Sequence, residues 1–144
     1  MPAFVSGYSW LVSRLIRRAF ERLAAGDPSA VLAVFGRGTR FAFPGSSSWA
    51  IDTTDRAEIE AWFGRFAALR PALTIHDIVV KGPPWNTRIR TRGADRIATA
   101  SGLPYANEWV QCAHLAWGKL REDIIYVDTQ KLAAFDGQLV PAGG

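Results

Sequence analysis

One cysteine, Cys112, occurs in the 144 residues, so no internal disulfide can close and a reducing, cytoplasmic setting is the expectation. Histidine is almost as scarce. His76 and His114 fall in different strand-like runs without ligand spacing, so no metal site is expected. No apolar run reaches the ~18 residues that a membrane span needs, and no membrane partner is expected. A glycine-rich phosphate loop is missing too, and with it any reason to expect a nucleotide or other cofactor. Linkers, repeats and low-complexity stretches are absent, which makes residues 1–144 one expected domain. Lysine is rare: 3 Lys stand against 14 Arg, for a net charge of +4. The basic residues are interspersed with acids rather than clustered, so nucleic-acid binding is not expected.

What the chain has is apolar bulk. Hydrophobic residues make up 49%, with six Trp and eight Phe, enough for a real core. Ser9 to Ala25 has helical spacing, with Val12, Ile16, Ala19, Phe20 and Leu23 on one face. Gly26 fits its stop, and Asp27-Pro28 starts a short second helix ending near Gly36. Thr39 to Phe43 alternates like a strand. Asp55-Arg56-Ala57-Glu58 opens a third helix with Ile59, Trp62, Phe63 and Phe66 on one face, closed by Pro71. After Pro71 the period becomes two. Strands are expected from Leu73 to Val80, Thr87 to Arg92, Tyr105 to Trp117 and Leu120 to Gln130, with Gly93 to Gly102 a loop and Gly118-Lys119 a hairpin turn. Helices followed by strands argue an α+β fold: a curved antiparallel sheet with about three helices on its concave face. Such a fold leaves a largely apolar pocket between its layers.

Asp128 stands out in the last expected strand, Ile124 to Gln130, because Asp is depleted in strands. Side chains two apart share a face, so Ile124, Tyr126 and Asp128 point one way. A buried carboxylate needs partners. Asp128 is therefore either a catalytic acid/base in a pocket or an acid ion-paired to Arg88 or Arg90. His114 could assist it, or be a core or interface histidine. Tyr126 could polarise a substrate carbonyl, or simply pack with its hydroxyl at the rim. Asn107, Trp109 and Gln111 share one strand face and are candidate ligand contacts, as is Trp49. Arg88 and Arg90, on one face with Arg92, could grip an anionic group or form a solvated face or dimer seam.

The order of elements and several local motifs resemble the SnoaL-like branch of the nuclear-transport-factor-2-like superfamily over about residues 8–136. The carriers are Ala25-Gly26-Asp27, Arg40-Phe41-Ala42-Phe43-Pro44-Gly45, Trp62-Phe63, Gly82-Pro83-Pro84-Trp85-Asn86-Thr87, and Trp117-Gly118-Lys119-Leu120 through Asp128-Thr129-Gln130. The resemblance implies the cone-shaped α+β fold and a homodimer through the sheet. It also sorts the chemistry. Ketosteroid isomerases carry a general-base Asp where this chain has Phe43, and oxyanion-hole groups where it has Ala19 and Ala113. Limonene epoxide hydrolases place an acid where this chain has Arg90, although Asp128 matches their second Asp. The polyketide cyclases are similar in having a His on the penultimate strand and an Asp on the last, matched by His114 and Asp128. The implied function is cofactor-independent proton transfer, of cyclase or isomerase type, on an apolar carbonyl compound. The alternative is a non-catalytic dimeric module that binds a hydrophobic small molecule or a protein partner.

Overall fold

Helix α1 (Gly7–Ala24) opens the computed structural model, which describes residues 7–140. Its Val12 and Leu23 are buried, and Ile16, Ala19 and Phe20 pack against the same core, as the helical spacing predicts. Gly26 stops it at φ +93°. The Gly26 N–H donates to Leu23 O and the Asp27 N–H to Arg22 O, which satisfies two end carbonyls. Helix α2 is a single turn (Ser29–Leu32), shorter than expected because strand β1 begins at Phe35.

The remaining elements are β1 (Phe35–Phe43), β2 (Ile51–Thr53), α3 (Arg56–Ala68), β3 (Ala72–Lys81), β4 (Thr87–Ile97), β5 (Tyr105–Ala116), β6 (Lys119–Val127), α4 (Thr129–Phe135) and a 3-10 turn, Asp136–Gln138. Asp55 caps α3 by accepting from the Ala57 and Glu58 N–H groups. That helix buries Ile59, Trp62, Phe63 and Ala67 against β1, where the Phe41 ring lies 4.9 Å from both Trp62 and Phe63.

The six strands form one sheet in the order β2-β1-β6-β5-β4-β3. Every pairing is antiparallel except β1 with β6, which is parallel. Strand β2 lies at the edge and is too short for period two to show. Arg40 ties it across β1 to β6, with Nε and Nη2 on Asp52 and Nη1 on Glu122 at 2.9 Å. β4 runs five residues past the expected end at Arg92, through Gly93 to Ile97. Gly and Asp are poor strand formers, yet Gly93, Asp95 and Ile97 continue the inward alternation of Thr87, Ile89 and Thr91.

Two irregularities aim the side chains. His76 bulges from β3 between the pairs Ile75–Gly93 and Asp77–Arg92. Arg121 bulges from β6: Leu115 faces Leu120, while the next pair is His114–Glu122. Leu120 and Asp123 are both buried although three residues apart. The bulge has turned the strand over.

Candidate functional site

Between the sheet and the helices lies a cavity of about 620 Å³. Its walls are mostly apolar, with Trp49, Trp62, Phe63, Trp109, Leu115 and Ile125 among them. Leu11 and Leu15 of α1, with Val34 before β1, line its solvent-exposed side. Polar side chains of the sheet among the lining residues include Asp95 on β4, Tyr105 and Gln111 on β5, and Asp123 on β6.

Asp123 is 0% exposed. Its Oδ1 accepts from Gln111 Nε2 at 2.7 Å, while Oδ2 has no partner among the described residues. Burial pushes the carboxyl up to about 7, against the lowering effect of the Gln111 bond. Two residues from Gln111 on the same face, the Trp109 Nε1–H is also buried and unpartnered. Its indole ring lies 5.2 Å from the Phe20 ring of α1. Asp95 is a second buried carboxyl, pushed up to about 7 chiefly by burial, with backbone N–H groups including that of Asn107 acting in the lowering direction. A carboxyl that titrates near neutral pH inside an apolar space can take a proton from a bound molecule and return it.

The inward placement expected for Asp128 is corrected by the structure. Asp128 is exposed, just past the end of β6, and caps α4 by accepting from the Gln130 and Lys131 N–H groups. Tyr126 shares its outward direction and is 48% exposed. The reason is the Arg121 bulge: Ile124, Tyr126 and Asp128 have the sequence parity of buried Leu120 but lie on the opposite face. His114 is outward as well, with Nε2 2.9 Å from Asn86 Oδ1. Partial burial and the nearby Arg88 and Arg121 lower its pKa. Arg88 and Arg90 are exposed on that outer face, away from the cavity, and among the described residues neither forms a salt bridge with Asp128. The interior candidates fare differently. Trp49, Trp109 and Gln111 line the cavity, and Asn107 is buried, its Nδ2 donating to Tyr105 Oη at 2.7 Å and to the Asp128 carbonyl.

Sequence reasoning missed Asp123 and Asp95. No local signal marks Asp123: counting from the turn at Trp117-Gly118 sets Gln111 opposite Ile124, and only the Arg121 bulge moves it opposite Ile125 with Asp123 diagonally beside it. As a check on the placement of Asp128, Asp128→Ala should cost about 1 kcal/mol, the usual worth of an N-cap, in urea unfolding. A loss above about 3 kcal/mol would mean that the carboxyl is buried.

Among the described residues no group of three His, Cys, Asp or Glu side chains is placed to hold a metal ion, and no helix is long and apolar enough to cross a membrane. Fold and cavity together define a cone-shaped α+β domain with an apolar hollow. The family model of the SnoaL-like domain matches residues 16–123, and the chain belongs to that family, within the nuclear-transport-factor-2-like superfamily. No functionally curated protein matches it. Among solved structures it is similar to Bal32a, from a soil-derived mobile gene cassette, with TM-score 0.72, 17% identity and coverage of 86% of this chain and 95% of that one. It is also similar to TerC co-crystallised with polyporic acid, with TM-score 0.68, 15% identity and coverage of 88% and 95%. A third similar structure is the S. rosetta CaMKII hub, with TM-score 0.65, 13% identity and coverage of 86% and 99%. At these identities the likeness is one of fold.

Proposed function

We propose that this domain is a cofactor-independent enzyme that moves a proton on an apolar carbonyl compound held in the cavity, with Asp123 as the acid/base. The observation that carries the proposal is a fully buried carboxyl, with one oxygen unpartnered among the described residues, in a mostly apolar hollow. As carboxylate, Asp123 takes a hydrogen from the carbon beside the carbonyl. The C–H bond breaks, its electron pair forms the enolate C=C, and the negative charge moves to the carbonyl oxygen. Gln111 Nε2 holds Oδ1 of Asp123, which leaves Oδ2 for the proton. Return of the proton to a different carbon isomerises the compound. Attack of the enolate carbon on a second carbonyl of the same molecule closes a ring: the π pair of that carbonyl moves to its oxygen, which takes the proton back from Asp123. TerC with polyporic acid is an instance of this fold with a small organic molecule, which supports the reading by analogy.

Exchange of the α-hydrogens of β-tetralone in D2O, followed by proton NMR, is the direct test. Wild-type protein should accelerate exchange, with a rate that rises with pH through about 7 as Asp123 ionises. Asp123→Asn should slow it by roughly 10²-fold or more. Exchange by Asp123→Asn at the wild-type rate would refute the assignment.

The second reading is a binding module that does no chemistry. Similarity to the CaMKII hub favours it only at the level of fold. Its surface would be the outer sheet face, where Arg88, Arg90 and Arg92 run beside Val110, Cys112, Ile124 and Tyr126. A homodimer seated there, with ligands bound in the cavity and no exchange of any ketone, would support it.

A further inference from the structure

Asp95 has no part in the proton transfer above, yet it is as costly a residue to bury as Asp123. It faces Asn107 across the β4–β5 ladder, whereas Asp123 faces Ala113 across the β5–β6 ladder. Asn107 and Ala113 are six residues apart on β5. At ~3.3 Å per residue, with β4 and β6 flanking β5, the two acids stand on the order of 20 Å apart along the sheet. Both line one continuous cavity. The hollow therefore has two polar poles, separated by apolar wall.

The Asp95 pole is only partly satisfied. The residue is 8% exposed, and its Oδ1 has no hydrogen-bond partner among the described residues. Among the described residues no salt bridge puts a cation on it. Tyr105 lies at the same end of the ladder, 3% exposed and lining the cavity. Its oxygen accepts from Asn107 Nδ2 at 2.7 Å, so its own proton is left to donate. A purely structural acid at this depth would have both oxygens paired. Here Asp95, with an unpaired carboxyl oxygen, and Tyr105, with a hydroxyl proton left to donate, both line the cavity.

We infer that the cavity takes an elongated, mainly apolar molecule that carries a hydroxyl or carbonyl oxygen at the end remote from Asp123, where Asp95 and Tyr105 hydrogen-bond it. This rests on the reading of the cavity as a small-molecule site and names the class of molecule that fills it. Length is the consequence: a compact ketone reaches Asp123 alone, and a rod with oxygen at both ends engages both poles. The burial that holds Asp95 up to about 7 is consistent with a neutral carboxyl that can donate to such an oxygen.

Titration of the protein with α,ω-dodecanediol and with 1-dodecanol tests this, read by the fluorescence of the tryptophans that wall the cavity. Wild-type protein should bind the diol about tenfold more tightly than the mono-alcohol. Asp95→Ala should abolish that preference while leaving 1-dodecanol affinity within about threefold, and Asp95→Asn, which can still donate, should retain most of it. Should Asp95→Ala fail to fold, Tyr105→Phe carries the same expectation of a reduced preference. Equal binding of diol and mono-alcohol, or a preference that survives Asp95→Ala, overturns the inference, as does tighter binding of α,ω-diaminododecane, which would mark an ionised pole. Diol preference without ketone exchange would remove the proton-transfer reading and keep this one. Exchange without diol preference would do the reverse.

Discussion

Gly93→Ala should cost at least about 3 kcal/mol and leave little folded protein at 37 °C, an effect at the severe end for a single methyl group. A Cβ on Gly93 would stand 2.3 Å from the Thr74 carbonyl oxygen and 2.5 Å and 2.9 Å from ring atoms of Trp109. Real contacts of this kind stay well beyond 3 Å. Neither neighbour can yield cheaply. Thr74 belongs to β3, one residue from the pair Ile75–Gly93 that borders the His76 bulge. The Trp109 indole crosses over Gly93 and is backed by Phe20. Strand β4 must therefore either leave β3 or expel the indole. Trp109→Leu in the same background should restore only part of the loss, because the carbonyl clash remains. Urea unfolding of the single and double variants measures both terms. A Gly93→Ala protein within 1 kcal/mol of wild type would show that this close approach is not the true packing.

The second large effect is a loss of stability as pH rises. Asp123 and Asp95 both have native pKa values of about 7, against an ordinary value of 3.8. Between those values the folded chain binds protons that the unfolded chain has released. Folding is thus favoured most on the acid side, and the advantage fades as pH climbs through about 7. Three pKa units correspond to about 4 kcal/mol for each group, an appreciable part of the stability of a domain this size. Asp27, Asp52 and Asp136 are held below 3.8 by their hydrogen bonds, so their contribution is lost only in stronger acid. His114, lowered, works in the opposite direction, but it lies on the outer sheet face. Unfolding free energies at pH 5 and pH 8 should accordingly fall by several kcal/mol for wild type. For Asp123→Asn the fall should be about half as large, with the variant the more stable protein at pH 8. An unchanged slope in Asp123→Asn would mean that the carboxyl is ionised and solvated in the native state.

The architecture was legible because it is written in side-chain periods. The helical face of α1, the Asp55 cap of α3 and the alternation of β5 all rest on local physics, and the structure repeats them, whereas the His76 bulge interrupts the alternation of β3. Interior residues on regular strands were legible for the same reason, and Trp109 and Gln111 line the cavity as their shared face requires. The missed elements are those where tertiary context overrides composition. β4 passes through Gly93 and Asp95, two residue types that signal a loop, because an indole needs the glycine and a cavity holds the acid. The acid of β6 was misassigned for a geometric reason. Period-two counting from Leu120 selects Ile124, Tyr126 and Asp128, and nothing in the local composition marks Arg121 as an extra residue. Only the pairing with β5 reveals it.

That bulge makes the interior chemistry of the domain a matter of register. A variant lacking Arg121 would keep the pairs His114–Glu122 and Ala113–Asp123 in a regular ladder, with Asp123 still in the hollow. A strand that kept every residue but ran straight from Leu120 would instead turn over from Glu122 onward: Ile124 and Tyr126 would enter the hollow, and Asp123 would go out to solvent. Two relatives that superpose closely along their backbones can thus offer entirely different groups to a guest if only one of them bulges at this corner. Reactive positions in this family are best matched after the ladder has been read, rung by rung.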